Sequence, residues 1–237
     1  MSQQHISSAF DRDLEAVQAL VVKMGGMVEQ QILDAAEALE SRDEELAQRV
    51  RKQDKAIDAL EEQINEEAAR IIALRAPVSR DLRLTLSVIK IAASLERAGD
   101  YAKNIAKRTQ ILMDAPAVEG SPKAIRRMAQ AVEGMLKDVL DAYIQRDPQL
   151  ARDVRDRDVE VDQMYNALFR EFLTYMMEDP RNITPCMHLH FIAKNIERMG
   201  DHATSIAEQV IYLVTGETPD EERPKQSSVI SMDSTEK

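Results

Sequence analysis

Apolar residues recur along the N-terminal part of the chain at spacings of three and four: Phe10, Leu14, Val17, Val21, Met24, Val28, Ile32, Ala35 and Leu39. That rhythm draws one continuous stripe down an α-helix, with polar residues on the opposite face. Comparable periodic segments follow, punctuated by eight prolines at 77, 116, 122, 148, 180, 185, 219 and 224, all where helices can start or stop. The pattern predicts six helices over 8–40, 42–75, 80–114, 122–146, 148–178 and 185–215. Start signals agree: Ser41-Arg42-Asp43-Glu44 reads as a capping box, while Ser121-Pro122, Asp147-Pro148 and Thr184-Pro185 set a capping side chain before a proline. Gly25-Gly26 falls within the first stripe, where each glycine costs on the order of 1 kcal/mol relative to alanine and is expected to allow a kink. Gly216 reads as a C-terminal stop.

The chain repeats itself. Arg42-Asp43-x-x-Leu46-Ala47-x-x-Val50-Arg51-x-x-Asp54 returns 104 positions later as Arg146-Asp147-x-x-Leu150-Ala151-x-x-Val154-Arg155-x-x-Asp158, which sets Asp58 over Asp162. Glu96-Arg97-Ala98-Gly99-Asp100-Tyr101 returns 101 positions later as Glu197-Arg198-Met199-Gly200-Asp201-His202. One loop absorbs the difference between the two shifts. Each half is therefore expected to be three antiparallel helices packed in coiled-coil fashion. The predicted fold class is all-α: two tandem three-helix bundles over residues 1–115 and 116–215, joined near Ala115–Gly120. A disordered acidic, polar tail is expected over 216–237.

Composition narrows the function. The 237 residues are 44% hydrophobic and 31% charged, with 7 Gly and no Trp, which suits amphipathic helices and not sheets. A formal charge of −11 repels a phosphate backbone, so no nucleic-acid partner is expected. The single cysteine, Cys186, has no internal disulfide partner, and Met1 to Phe10 lacks the pattern of a secretory signal. No segment approaches the roughly 20 apolar residues needed to span a bilayer. A cytoplasmic protein with no direct membrane span is expected.

The candidate chemistry lies in carboxylate pairs at i,i+4: Asp54/Asp58 with Glu96/Asp100, and Asp158/Asp162 with Glu197/Asp201. Residues four apart share a helix face, and two like charges so placed repel unless a cation binds them. If the second and third helices of a bundle face each other here, four carboxylates form an oxygen-rich site suited to Mg, Mn or Fe, with Zn a poorer match. Chance must be weighed, because 42 acids among 237 residues give about seven such pairs by accident. Matching positions in both repeats raise the signal above that background. At about 100° per residue, Ile89, Ala93, Glu96 and Asp100 run along one edge beside the main stripe, which predicts a rim site. Gly99 and Gly200 fall on the packed side. Arg51 and Arg155, three residues before Asp54 and Asp158, can orient those carboxylates or contact an anion directly. His190 reaches the same edge as Glu197, with a packing role as the simpler reading; His188 and His202 are assigned to packing or surface. Glu-x-x-His pairs, a phosphate-cradling Gly-rich loop and a Gly-x-Ser-x-Gly elbow do not occur, so no catalytic residues are expected.

The doubled Glu-Arg-x-Gly-Asp segments, the Asp-x-x-x-Asp segments before them and the six-helix tandem layout resemble the PhoU family, accessory regulators of bacterial phosphate-specific transport. The resemblance covers about residues 5–215. It implies metal bound by Asp54, Asp58, Glu96, Asp100, Asp158, Asp162, Glu197 and Asp201, as single ions or a multinuclear cluster of divalent or trivalent metal. It implies a negative regulator of the phosphate starvation response, and not an enzyme. The implied partners are a sensor histidine kinase of the phosphate two-component system and the ATPase subunit of the phosphate ABC transporter. Long exposed helices add the expectation of a homodimer. Two other classes stay open at this point: a carboxylate-metal-dependent hydrolase of a phosphorylated small molecule, and a purely structural helical adaptor.

Overall fold

The structure, a computed structural model, describes residues 2–219, with side chains described from Phe10 onward. Its elements are α1 (Ser2–Ser41), α2 (Glu44–Arg75), α3 (Ser79–Leu112), α4 (Ser121–Gln145), α5 (Pro148–Glu178), a single 3-10 turn (Pro180–Asn182) and α6 (Ile183–Thr215). The described residues contain no strand. The tail expected over 216–237 lies, from residue 220, outside the described residues.

Duplication is visible in the turns. Arg42 and Arg146, 104 positions apart, both take left-handed backbone (φ 54° and 55°), and the aspartate that follows each one caps the next helix. Asp43 accepts from the Leu46 amide and Asp147 from the Leu150 amide, at 2.8 and 3.2 Å. Ser41, expected as the cap, instead ends α1, with its hydroxyl donating to the Glu37 carbonyl. The left-handed turn at Arg42 moves the cap two residues on. Arg42 also reaches the ends of another helix, donating to the carbonyls of Leu112, Met113 and Ala115. The starts of α4 and α6 differ from expectation too: α4 begins at Ser121 behind Gly120 (φ 79°), and Asp179, not Thr184, accepts from the Arg181 amide in the turn before α6.

The two three-helix units, α1–α3 and α4–α6, share one continuous core. Within each unit the three helices pack on one another; between units, α3 lies along α6 and α1 along α4. Tyr101 and His202, which are equivalent by the repeat, meet across the α3/α6 seam with ring centroids 5.7 Å apart. Two equivalent positions in contact place a local twofold axis between them. Arg83 of α3 approaches Gly216 just past α6, and Arg108 of α3 stacks over Phe191 near the start of α6, so the two helices run antiparallel.

Helix α1 is continuous through Gly25-Gly26. The physical reason for Gly25 is close packing and not a kink: a Cβ there would stand 2.3 Å from Leu140 of α4. Gly26 has open space around it. A helix-interior glycine with room for a side chain only costs backbone entropy, so Gly26→Ala is expected to raise stability by about 0.5–1 kcal/mol, measured by denaturant unfolding.

Candidate metal centre

The eight acids fall on two helix pairs, α2/α3 and α5/α6, and each set of four is drawn together. In the first repeat Asp54 is buried, Glu96 and Asp100 are half-buried and Asp58 is exposed; in the second, Asp158 is buried and Asp162, Glu197 and Asp201 are half-buried. Each group thus runs from one buried aspartate to a solvent rim. The phase-based expectation of a rim site describes six of the positions and misses the depth of Asp54 and Asp158.

Glycine is what lets the helices approach. A Cβ at Gly99 would stand 3.1 Å from the Gln31 amide oxygen and 3.3 Å from Ile57; one at Gly200 would stand 3.1 Å from an Asp158 carboxylate oxygen. Gly200 therefore lets α6 come up against the buried acid of α5.

The electrostatics show crowding of negative charge. Burial pushes the Glu96 carboxyl up to about 7, with Asp100, Glu61 and Asp58 adding to the shift and Arg97 opposing it. Burial, then Asp54, raises Asp58. Glu197 is raised by burial, with Asp201 and Asp162 adding and Lys194 opposing. A folded carboxyl that keeps its proton to about pH 7, against 4.5 when unfolded, makes stability fall as pH rises through that window, with the full cost present above it. Glu96→Gln is therefore expected to stabilise the metal-free protein at pH 8 by on the order of 1 kcal/mol after solvent screening, and to change nothing at pH 4. Melting temperatures at the two pH values test this.

In the first unit the cations are placed differently from the sequence expectation. Lys103 Nζ bridges the helices of the first unit, 2.5 Å from Asp54 Oδ2 and 2.7 Å from Asp100 Oδ1. Burial opposes its charge, but the hydrogen bonds to Asp100 and Asp54 win and hold the ammonium well above its ordinary range. Arg51, expected beside Asp54, reaches over to Gln110 of α3. Arg155 lies 3.8 Å from Glu208 of α6. In the second unit Lys194 Nζ sits 2.7 Å from both oxygens of Glu197. His190 is walled by Tyr165, Phe169 and Phe191, and burial, then Lys194, lowers its pKa, which fits a packed neutral imidazole. Cys186 is a buried thiol that burial pushes up in pKa.

The donors are hard oxygens alone, in mutually repelling groups anchored by a buried aspartate, and that chemistry fits Mg, Mn or Fe. In their present rotamers no three His, Cys, Asp or Glu among the described residues converge on one ion. Ligation thus requires side-chain rotation, and in the first unit it requires Lys103 to move. A cleft of about 420 Å³ under the 113–120 connection, walled by Leu39, Arg42, Leu112, Val118, Pro185 and Leu189, contains none of the eight acids. No helix of the described residues is long and apolar enough to cross a membrane.

Comparison with known proteins places this architecture. A family model described as the PhoU domain matches twice, at residues 21–109 and 125–210, one match per three-helix unit. A Rhizobium meliloti protein named phosphate-specific transport system accessory protein PhoU homolog is 47% identical over 234 residues, covering 99% of each chain. A Caulobacter vibrioides protein of the same name is 49% identical over 222 residues, 94% of this chain and 96% of its own. Among solved structures, that of PhoU from Pseudomonas aeruginosa superimposes with a TM-score of 0.85 at 41% identity, over 88% of this chain and all of that one. The phosphate transport system regulatory protein PhoU from Streptococcus pneumoniae gives 0.83 at 30% identity, over 90% of this chain and all of its own. With both repeats matched and relatives aligned over nearly its whole length, the chain belongs to the PhoU family.

Proposed function

We infer that this chain is a cytoplasmic negative regulator of the phosphate starvation response and a modulator of phosphate ABC transport. In this reading it binds the sensor histidine kinase of the phosphate two-component system and the ATPase subunit of the transporter, and works as a homodimer and not as an enzyme. The single observation that carries it is the pair of equivalent acid groups set about one twofold seam, on a chain whose relatives are named as accessory and regulatory proteins of phosphate transport. Asp54, Asp58, Glu96 and Asp100 would hold metal in one unit, and Asp158, Asp162, Glu197 and Asp201 in the other. A bound ion would supply the positive charge that relieves their mutual repulsion. The chain's own residues do the rest: Gly99 and Gly200 bring the helices close, and the shared core keeps the two acid groups in fixed relation.

Docking needs surface. The α5/α6 end exposes Leu173, Met177, Ile183, Met187 and Phe191, an apolar set of the kind that partners cover. A strain lacking this gene is expected to keep phosphate-regulon output high in phosphate-rich medium, read by a phosphatase reporter. Normal repression in that strain would reject the regulatory assignment.

A further inference from the structure

Down one side of α5, Tyr165, Phe169, Leu173 and Met177 stand four residues apart, a stripe of large apolar side chains. By the repeat, α2 carries Glu61, Asn65, Ala69 and Ala73 at the matching positions. The three-helix unit therefore folds without apolar bulk at these places, and the second unit presents it to solvent: Tyr165 and Phe169 are half-buried, Leu173 is 41% exposed and Met177 79%. Helix α6 supplies a second stripe, Ile183, Met187 and Phe191, also four apart and all exposed. Ile183 and Met187 have leucines as counterparts, Leu82 and Leu86, but Phe191 stands where α3 has Lys90. His190 joins the two stripes, its ring 5.8 Å from that of Tyr165 and 5.2 Å from that of Phe169. Charge is sorted around this face. Glu171 and Glu178 share another side of α5 with Tyr175, whose hydroxyl donates to the Glu119 carbonyl. On the apolar side, Arg170 precedes Leu173 by three residues, and Arg108 of α3 stands 4.4 Å over the Phe191 ring. Neither arginine forms an ion pair among the described residues.

We propose that the outer groove between α5 and α6 is a docking site for an amphipathic helix of a partner protein, one that carries acidic residues beside its apolar stripe. The inference deepens the partner reading above and rests on it. A helix suits the place because two antiparallel helices offer ridges between which a third can pack, and the described residues have no sheet edge for a strand to join. Met177 and Met187 are unbranched and adapt to the side chains laid against them. Arg108 and Arg170 flank the groove and match acids on the incoming helix. An anionic bilayer fits less well. Its extended surface meets the whole chain's charge of −11, whereas one helix in the groove meets chiefly the cations within a Debye length of about 8 Å.

The repeat supplies the test. Leu173→Ala, Met177→Ala and Phe191→Lys together give the second unit the residues that the first carries at those positions, so the fold should be kept, with helicity and melting as the check. The full chain is titrated into a labelled synthetic helix of about 18 residues, with leucines at i, i+3, i+4 and i+7 and glutamates beside them, read by fluorescence anisotropy. The triple variant is expected to bind about tenfold or more weaker than wild type, and so is wild type when lysines replace the peptide's glutamates. Equal affinity in wild type and variant, or no binding to wild type, would overturn the proposal. It is equally overturned if the variant keeps its peptide affinity and instead loses binding to phosphatidylglycerol vesicles or loses a dimer, which would give the groove to lipid or to a second copy. Put in place of the wild-type gene, the triple variant should raise the phosphatase reporter in phosphate-rich medium toward the level of the deletion strain. Full repression by the folded variant, where the deletion derepresses, sinks the docking site and leaves the regulatory reading standing; repression in the deletion strain itself sinks that reading, and the peptide titration then decides the groove alone. Should the triple variant not fold, Met177→Glu at a fully accessible position decides, because unchanged peptide affinity there also overturns the proposal.

Discussion

Gly200→Leu is expected to cost about 3 kcal/mol or more and to disorder the site of the second unit along with its packing. The first added carbon alone would stand 3.1 Å from Asp158 Oδ1, 3.5 Å from Val161 and 3.8 Å from Val132, so α4 and α5 both close over this point of α6. Every further carbon of leucine must enter space those helices occupy. Overpacking costs typically 1–3 kcal/mol, and here it also displaces a buried carboxylate, which adds to the penalty. Alanine is a different case: a gain of roughly 1 kcal/mol in helix propensity offsets one tight contact, so Gly200→Ala is expected to be nearly neutral. For a domain of this size a loss of 3 kcal/mol lowers the melting temperature by about 6–12 °C. Thermal unfolding by circular dichroism checks it, with Gly26→Leu as the matched control, since Gly26 has open space around it. A Gly200→Leu variant that melts like wild type would mean that α6 does not approach α5 as described.

Much of the fold was legible in the chain because amphipathic helices announce themselves. The stripe from Phe10 to Leu39 became the buried face of α1, with Val17, Val21, Met24, Val28, Ile32 and Ala35 all in the core. The doubling was legible for the same reason: identical spacings must fold into identical units, and Arg42 and Arg146 share even their left-handed turn. Caps were read less well, since the side chain that caps depends on where the preceding turn closes. Asp43 took the place of Ser41 for that reason. How the two units join was not legible. The α3/α6 and α1/α4 seams belong to the same continuous core as each unit's own interior, so periodicity cannot separate one interface from the other.

The candidate site divides along the same line. The eight acids and both glycines were marked by repetition, and the structure sets them on facing helices. Their unequal depth was not marked: Asp54 and Asp158 lie on the inner edge of α2 and α5, a matter of helix rotation that charge patterns do not record. Lys103 was passed over in favour of Arg51, although both stand three residues from an acid of the group. Spacing along one helix offers both cations equally. Only the neighbouring helix decides, by presenting Asp54 to Lys103 and Gln110 to Arg51. The available signal was the change from Lys103 to Thr204 at matching positions of the repeat.

The second large effect concerns the acids directly. Converting Glu96, Asp100, Glu197 and Asp201 to their amides removes half the charge of each group and leaves side-chain size nearly unchanged. Hard cations bind carboxylates far better than neutral amides, so a protein with Glu96→Gln, Asp100→Asn, Glu197→Gln and Asp201→Asn is expected to lose essentially all tightly held metal. Its fold should survive, because none of the four is fully buried and relief of repulsion at Glu96 and Glu197 favours the folded state. Elemental analysis of the purified full chain, wild type beside this fourfold variant and with helicity checked in both, is the most direct test of whether the duplicated acids are metal sites. Metal in the wild type and its loss from a folded variant is the predicted result; equal metal content in two folded proteins would contradict it.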